Sequence, residues 1–315
     1  MAIPTNTFTT YSAIGIREDL KDFIANISPT DCPFSNMMGK AKAENTYFEW
    51  QTDALAAPNL SNAQIEGDDT SFAAVTATAR VGNRTQISNA TVVISRTEET
   101  VKKAGRASEL AYQITKKTKE LKRDMEAILT QNQASVAGNT TTARKTGSLE
   151  AWLVTNKNRG SGGSGGGFSG GTVSAATDAG STRSFTETLL KDVAQQVYSA
   201  GGDADTLMLG AAQKQVVSSF TGNNTRMQDT SKGTLATAIK VYESDYGDLK
   251  IVTNRFQRNR TAFVLQSDMW QIAWLDPIRI EDIAKTGDSM KKLLVGEYGL
   301  LSRNEAASGV VADLS

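Results

Sequence analysis

More than thirty small and polar residues separate two strand-like segments near the start of the chain. The first segment, residues 46–53, is rich in aromatic and β-branched residues, and the second, residues 86–95, is rich in β-branched ones. A loop of that length inside a compact domain is uncommon and usually functional. We predict a long β-hairpin arm that buries little surface alone and therefore packs on another subunit.

The middle of the predicted arm carries an acidic cluster at residues 66–69. The cluster could bind a divalent cation, but its spacing fits no EF-hand loop. A solvated acidic tip, or ion pairs with basic residues of a neighbouring subunit, are the favoured interpretations. We predict inter-subunit contacts for six arm residues: Trp50, Glu66, Asp68, Asp69, Arg80 and Arg84.

The stretch 97–133 predicts one very long helix. It contains no proline, its apolar or small residues recur three or four apart, and Ser95 and Glu98 form a capping box at its start. About 37 residues would span roughly 55 Å, although Gly105 weakens the helix by about 1 kcal/mol relative to alanine. A single apolar stripe places the helix on a surface. A coiled coil is the alternative, which alanine and threonine in the stripe disfavour.

A basic run on this helix is a candidate surface for phosphate groups. Between Lys102 and Arg123 eight basic residues stand against two acidic ones, which gives a local charge of +6. An ordinary solvated helix face is the alternative interpretation. The run consists of Lys116, Lys117, Lys119, Lys122 and Arg123.

Beyond residue 145 helical and strand patterns alternate. Residues 160–171 hold eight glycines and three serines and predict a flexible loop. Ser184 and Glu187 form a second capping box that opens a helix, and Pro277 is expected to end a strand. The remaining predictions are an extended segment at 1–16, helices at 17–27 and 211–220, and strands at 206–209, 238–243, 249–253, 261–266, 270–275 and 291–302.

The composition excludes several classes of function. The chain has no histidine, which removes the commonest general base, the triads that depend on it and nearly all zinc sites. Its single cysteine, Cys32, excludes an internal disulfide framework. A net charge of zero disfavours a dedicated, strongly basic nucleic-acid binder. The glycine pattern at 160–165 matches a dinucleotide fingerprint by chance, since we expect neither a preceding strand nor a following helix.

The order of these elements resembles the major capsid protein of tailed bacteriophages, the Hong Kong 97 fold. Residues 31–34 followed by 47–53 are similar to the passage from N-arm to E-loop, residues 146–150 to the turn after the spine helix, and residues 293–300 to the return strand of the P-domain. The resemblance implies an α+β fold with five parts: an N-arm at 1–40, an extended β-hairpin E-loop at 41–95, a P-domain with the spine helix at 96–150, a mixed α/β A-domain at 151–275, and the P-domain return strand and C-terminus at 276–315.

The resemblance also implies a function. Such subunits form pentamers and hexamers that close into an icosahedral head around double-stranded DNA, and the head is assembled in the bacterial cytoplasm. No enzyme activity, cofactor, metal or membrane contact is expected. A portal and a separate scaffolding protein are expected partners, because the N-arm begins at Met1 with no fused scaffold, and decoration proteins are further candidates. The basic run would then face the DNA, whose phosphates are contacted without regard to sequence.

Two other functions stay open at this stage. A cellular nanocompartment shell of the same fold would enclose an enzyme instead of DNA. An unrelated α+β enzyme would use a pair of carboxylates. One chemical feature distinguishes the chain within the capsid family: no lysine lies between Lys42 and Lys102, so the E-loop lacks the amine needed for the lysine–asparagine cross-link of the family's best-known member.

Overall fold

A computed structural model describes residues 30–67, 69, 72, 74–102, 105, 107–220 and 241–315. The extended segment 1–16, the helix 17–27 and Asp68 lie outside these residues, so their predictions stay untested. Helices and strands are numbered below along the chain. Their mixture agrees with the predicted α+β class.

The first sheet has four strands in the order β1, β12, β13 and β4. These are β1 (Gly39–Lys42), β4 (Gln86–Ser95), β12 (Trp270–Asp282) and β13 (Ser289–Ser302). β4, β13 and β12 are antiparallel, whereas β1 runs parallel to β12. Helix α3 (Glu109–Thr130) covers one face of β4, where its Leu121 packs with Val92, Ile94 and Leu294.

The second sheet has six strands in the order β5, β14, β11, β8, β10 and β9. Helices α5 (Glu187–Ser199) and α6 (Ala211–Ser218) cover one face, and α4 (Leu149–Trp152) helps to fill the core between the two sheets. The strands are β5 (Asn156–Asn158), β8 (Thr206–Leu209), β9 (Val241–Ser244), β10 (Gly247–Thr253), β11 (Thr261–Leu265) and β14 (Gly309–Ala312). The domain boundaries expected from the sequence place residues 309–312 in one part with the return strand. In the structure these residues pair with β5 and β11 of the six-stranded sheet.

The arm is built from a different strand pair than the sequence predicts. β2 (Tyr47–Thr52) pairs antiparallel with β3 (Ala79–Arg84), whereas β4 belongs to the four-stranded sheet. The prediction that β2 and β4 form the hairpin is therefore wrong. The β3 sequence contains glycine, asparagine and two arginines, which have weak strand preference, so its strand went unpredicted.

The predicted long helix is interrupted. It begins as α2 (Arg96–Thr100), capped by Ser95, whose hydroxyl accepts a 3.2 Å bond from the Glu98 amide. α2 ends at Thr100, because Val101 is extended. Gly105 has a φ of +75°, a left-handed conformation that a continuous helix does not contain. A new cap at Ser108 then accepts from the Ala111 amide at 3.1 Å and starts α3. The 22 residues of α3 span about 33 Å.

Three smaller predictions also need correction. The second capping box is wrong, because Thr186 caps α5 and accepts from the Leu189 amide. Pro277 does not end a strand: β12 continues past it through two register shifts, where the ladder needs no proline amide. The glycine-rich segment includes a hairpin of β6 (Gly167–Ser169) and β7 (Thr172–Ser174) instead of an open loop.

Candidate assembly surfaces

The arm divides into two parts with different surroundings. We call residues 46–52 and 79–85 the arm root and residues 53–78 the arm tip. One face of the arm root packs on the body through a ladder of aromatic rings. Trp50 lies between Phe48 and Trp152, with ring centroids 5.8 Å and 5.4 Å away, and Trp152 stacks on Phe168 at 6.0 Å.

Buried hydrogen bonds hold the second strand of the arm root. The Asn83 carboxamide has no exposed surface. Its Nδ2 donates to the Gly147 carbonyl at 3.0 Å and the Leu300 carbonyl at 2.7 Å, and its Oδ1 accepts from the Gly147 amide at 2.8 Å. One side chain thus joins β3 to the turn before α4 and to β13.

A second set of polar contacts lies where the arm root meets β4. The Thr85 amide donates to the Thr46 carbonyl at 2.9 Å, and the Thr85 hydroxyl donates to the Glu297 carboxylate at 2.5 Å. Arg144 forms an ion pair with Glu297 and donates from Nε to the Thr85 carbonyl at 2.8 Å. The end of the root next to β4 is therefore tied to the body.

The predicted contact residues on the root have partners within the chain. Trp50 is half-buried in the aromatic ladder. Arg80 lies 3.3 Å from the Glu49 carboxylate on the exposed side of the hairpin. The Arg84 guanidinium sits 4.7 Å from the centroid of the Tyr47 ring. An inter-subunit role for these three residues stays a prediction.

The arm tip has the opposite character, because all its described residues are exposed. Leu55 is 100% exposed and Phe72 is 97% exposed. Glu66 and Asp69 of the predicted acidic cluster are exposed as well. The tip holds four acidic and no basic residues, a charge of −4. Its large exposed apolar side chains are Leu55, Leu60, Ile65, Phe72 and Val75.

The basic run on α3 splits into exposed and paired members. Lys116, Lys119 and Lys122 are exposed. Lys117 lies 2.6 Å from the Glu120 carboxylate, and this hydrogen bond lowers the pKa of Glu120. The Arg123 guanidinium sits 6.0 Å from the centroid of the Phe256 ring. Three of the five predicted phosphate contacts therefore point into solvent without a paired acid in the described structure.

A buried carboxylate on the same helix was not predicted. Glu126 accepts from the Phe34 amide at 2.7 Å, the Ser35 amide at 2.8 Å and the Asn254 carboxamide at 2.7 Å. These bonds fix the short helix α1 (Pro33–Met37) and a loop after β10 to α3. Burial raises the pKa of Glu126. Proline at the start of α1 predicts a helix start, but no local pattern shows its contact with a residue ninety positions later.

A second buried ionic cluster stabilises the glycine-rich segment. The carboxylate of Glu150 accepts from Arg159 at 3.1 Å and from Arg258 at 2.8 Å. The Gly160 amide donates to the Asp313 carboxylate at 3.0 Å. The glycine pattern at 160–165 directly follows β5, so the expectation that no strand precedes it is wrong. A β-hairpin comes next, and the helix that a dinucleotide site requires is missing from this part of the structure.

The other chemical candidates are inert or lacking among the residues described. Burial raises the pKa of the Cys32 thiol to about 11, so the thiolate is scarce at neutral pH. In the described ranges no group of three or more metal-ligating side chains could hold an ion. None of the helices in this part of the chain is long and apolar enough to span a membrane.

Comparisons with known proteins identify the family. The sequence matches the family described as SU10 major capsid protein over residues 3–315. It is 31% identical over 345 residues to the major capsid protein of Escherichia phage Phieco32. The alignment covers 99% of this chain and 97% of the relative.

Solved capsids share the fold at low sequence identity. The cyanophage A-1(L) capsid matches with a TM-score of 0.64 and 11% identity, covering 97% of this chain and 98% of the other. The capsid of a native GTA particle matches with a TM-score of 0.61, 11% identity and the same coverage. The resemblance in the sequence is thus confirmed, and the chain belongs to the SU10 major capsid protein family, as a phage major capsid protein with the Hong Kong 97 fold.

Proposed function

We propose that copies of this capsid protein close into an icosahedral head around double-stranded DNA, and that the arm tip of each copy lies on a neighbouring copy. The arm tip carries the proposal. It exposes five large apolar side chains that the described part of the body leaves uncovered. Such a surface is unusual on a monomer and marks an interaction site. Closed symmetric assembly supplies the same partner surface to every copy.

Charge favours a basic receiving surface on the neighbour. The arm tip has a charge of −4, and its acidic residues Glu66 and Asp69 are exposed beside apolar ones. Exposed ion pairs are worth at most about 1 kcal/mol each. The repeated apolar contacts would therefore provide most of the affinity, and the charges would select the position of the tip.

The exposed lysines of α3 are proposed to face the packaged DNA. Lys116, Lys119 and Lys122 form a basic surface, and no acidic side chain among the described residues forms an ion pair with them. Phosphate contacts need no base-specific geometry, which suits packaging of any sequence. The protein acts as a structural component without catalysis, assembles in the bacterial cytoplasm, and works with a portal and a separate scaffolding protein. Decoration proteins are further candidate partners.

Replacing the arm tip tests the assembly role directly. Thr52 pairs with Ala79 at the end of the root, so a two-residue Asn-Gly turn in place of residues 53–78 closes the hairpin in its favoured geometry. The shortened chain should fold as a subunit, with an unchanged circular dichroism spectrum, and form no shells in electron micrographs. Normal shells from this variant would contradict the role of the tip.

Two double substitutions distinguish the effect of the apolar side chains from the effect of shortening the tip. Leu60→Ser with Phe72→Ser removes two exposed apolar side chains, and we expect shell yield to fall at least tenfold. Ala56→Ser with Ala74→Ser alters two exposed small residues of the same segment and should leave the yield unchanged. Equal yields from both pairs would place the apolar contact elsewhere. DNA recovered from nuclease-treated shells distinguishes a phage head from a compartment that encloses an enzyme.

A further inference from the structure

The six-stranded sheet has two ends of opposite charge. We call the end where β8 begins and β11 ends the acidic end, and the end where β8 ends and β11 begins the basic end. The segments 200–205, 243–250, 266–269 and 303–308 lie at the acidic end and have a side-chain charge of −5. Their acidic residues are Asp203, Asp205, Glu243, Asp245, Asp248, Asp268 and Glu305, and their basic residues are Lys250 and Arg303.

The described residues at the basic end have a side-chain charge of +3. Three of its arginines bind carboxylates within the cluster around Glu150 and Asp313, whereas Arg255 is exposed. The basic end therefore keeps an excess of positive charge after its internal ion pairs are counted. Its basic residues are Arg159, Arg183, Lys214, Arg255, Arg258 and Arg260, and its acidic residues are Glu150, Asp178 and Asp313.

Two helices add to this separation of charge. α5 begins near the basic end, where Arg183 forms a bridge with Leu314, and it ends at the acidic end, where Gly202 packs against Ala307. α6 also begins at the basic end, because Gln213 in its first turn donates to the Asn259 carbonyl. Aligned peptide dipoles make the start of a helix partly positive and its end partly negative. Both helix starts therefore add positive charge to the basic end, and the end of α5 adds negative charge to the acidic end.

The acidic end also carries an exposed pair of aromatic rings. Tyr198 in the last turn of α5 stacks on Tyr246 between β9 and β10, with ring centroids 4.8 Å apart. Tyr198 is 60% exposed and Tyr246 is 37% exposed. The exposed carboxylates of Asp245 and Asp248 lie one and two positions from Tyr246. Aromatic rings beside carboxylates suit a guanidinium group, which pairs with the acids and stacks on a ring.

We propose that the acidic end of one copy binds the basic end of a second copy, with Arg255 of the second copy contacting the Tyr198–Tyr246 pair and Asp245. Charge complementarity identifies the partner, since each copy carries both surfaces. Tyrosine and arginine are also the residues that contribute most to binding at protein interfaces.

The positions of the two surfaces determine the symmetry of the contact. They lie at opposite ends of one sheet, so the contact is heterologous, and its repetition closes into a ring when the rotation between copies allows. The pentamers and hexamers of the proposed function are such rings, and this consequence rests on that function. The pairing of the two ends is itself a property of any two copies.

Cysteine cross-linking tests which surfaces meet. Tyr246→Cys with Arg255→Cys places one thiol at each end of the sheet, and Cys32 is buried. Oxidation by air of shells, or of concentrated unassembled subunits, should give a ladder of two or more joined chains that reductant removes. Tyr246→Cys with Arg303→Cys is the matched control, because both thiols then lie at the acidic end, and it should give no ladder.

Charge reversal tests whether the opposite charges carry the contact. Asp245→Arg alone and Arg255→Glu alone should each lower the shell yield at least fivefold, because like charges then meet. Both changes in one chain restore an opposite pair and should return the yield to within twofold of the parent chain. Asp31→Arg changes an exposed acid away from the sheet and should leave the yield unchanged. All four positions changed here are exposed or lie in turns, so circular dichroism should show a folded subunit in each variant.

The inference and the proposed function fail in different ways. Shells of the Tyr246→Cys, Arg255→Cys chain that give no ladder would overturn the inference and leave the function standing. A ladder from concentrated subunits that never form shells would support the contact and contradict the function. Absence of a ladder from both samples would overturn the inference, as would a double charge reversal that is no better than the single ones.

Discussion

The guanidinium of Arg159 and the carboxylate of Glu150 form a 3.1 Å ion pair whose side chains are 3% and 0% exposed. Arg258 joins the same carboxylate from the loop before β11. The three residues connect α4, the glycine-rich segment and the six-stranded sheet deep inside the body. The stability of the subunit should depend strongly on this contact.

Removing the carboxylate should destabilise the subunit severely. Glu150→Ala leaves the buried Arg159 guanidinium with Asp178, 3.9 Å away, as its remaining described partner. Removing one partner of a buried ion pair costs about 3–5 kcal/mol. Urea unfolding of the unassembled subunit measures the loss. Lys42→Ala is the control, since Lys42 and Glu44 form an exposed pair and the expected change is below about 1 kcal/mol. Similar losses in both variants would contradict the assignment.

Glu126 should give the stability a defined pH dependence. Because burial raises its pKa in the folded chain, this group contributes stability that is complete below the unfolded pKa of about 4.3. The contribution is lost as the pH rises through the folded pKa. Glu126→Gln cannot ionise and lacks this loss. The stability advantage of the parent chain over the variant should therefore shrink from pH 4 to pH 7. An advantage that grows with pH would mean that the bonds to the ionised form dominate.

Gly166 should tolerate no side chain. A Cβ atom there would overlap the Ser174 carbonyl oxygen and lie 2.7 Å from the Ala151 carbonyl oxygen. Because both are backbone atoms, Gly166→Ala should lower the free energy of unfolding by about 1–3 kcal/mol or more. Gly180→Ala is the matched control, as nothing lies within 4 Å of its Cβ position. Thermal melting of the two variants tests this prediction. Equal melting temperatures would contradict the close approach of the Ser174 and Ala151 carbonyls to Gly166.

Reversing the charge of the exposed lysines should reduce packaged DNA. Lys116, Lys119 and Lys122 changed together to glutamate would repel phosphates, and we expect a several-fold lower DNA content per shell with an unchanged yield of empty shells. The control changes three exposed lysines outside α3, namely Lys40, Lys250 and Lys285. Equal loss of empty and filled shells in the α3 variant would make the basic run purely structural.

Shells should release single chains on denaturation. The arm has no lysine amine between residues 42 and 102, and arginine stays protonated at working pH and cannot replace it. Cys32 is buried, which disfavours a disulfide between copies. Boiling assembled shells in detergent should give one band near 33.7 kDa. A ladder of larger bands that survives reductant would contradict the prediction.

Local sequence patterns predict the strands that fill the core. The elements that these patterns do not predict depend on contacts between residues far apart in the chain. The apolar runs of β8 and β11 are visible in the sequence because both faces of these strands are buried. The strand β3 depends on Asn83, whose partners are 64 and 217 residues away. The break before α3 was readable in principle, since Gly105 is followed by a serine cap at Ser108. The apolar stripe continues across this break, and it therefore predicts one uninterrupted helix.

The same limit applies to the assembly surfaces. Sequence spacing located the basic run and the acidic cluster, but it could not tell which members have partners. The Lys117–Glu120 pair was accessible from spacing, because residues three apart meet on a helix. The contact between Trp50 and Trp152 could not be predicted, because nothing local indicates a contact between residues a hundred positions apart.

The order of strands in the larger sheet sets the timing of folding during synthesis. β14 lies between β5 and β11, and β5 pairs with no other strand of its sheet. A nascent chain that has emerged only as far as β13 therefore leaves β5 and one edge of β11 without partners. We expect the sheet to close only after residue 312 leaves the ribosome, so a chain that has emerged only as far as β13 lacks a complete body for neighbouring copies to engage.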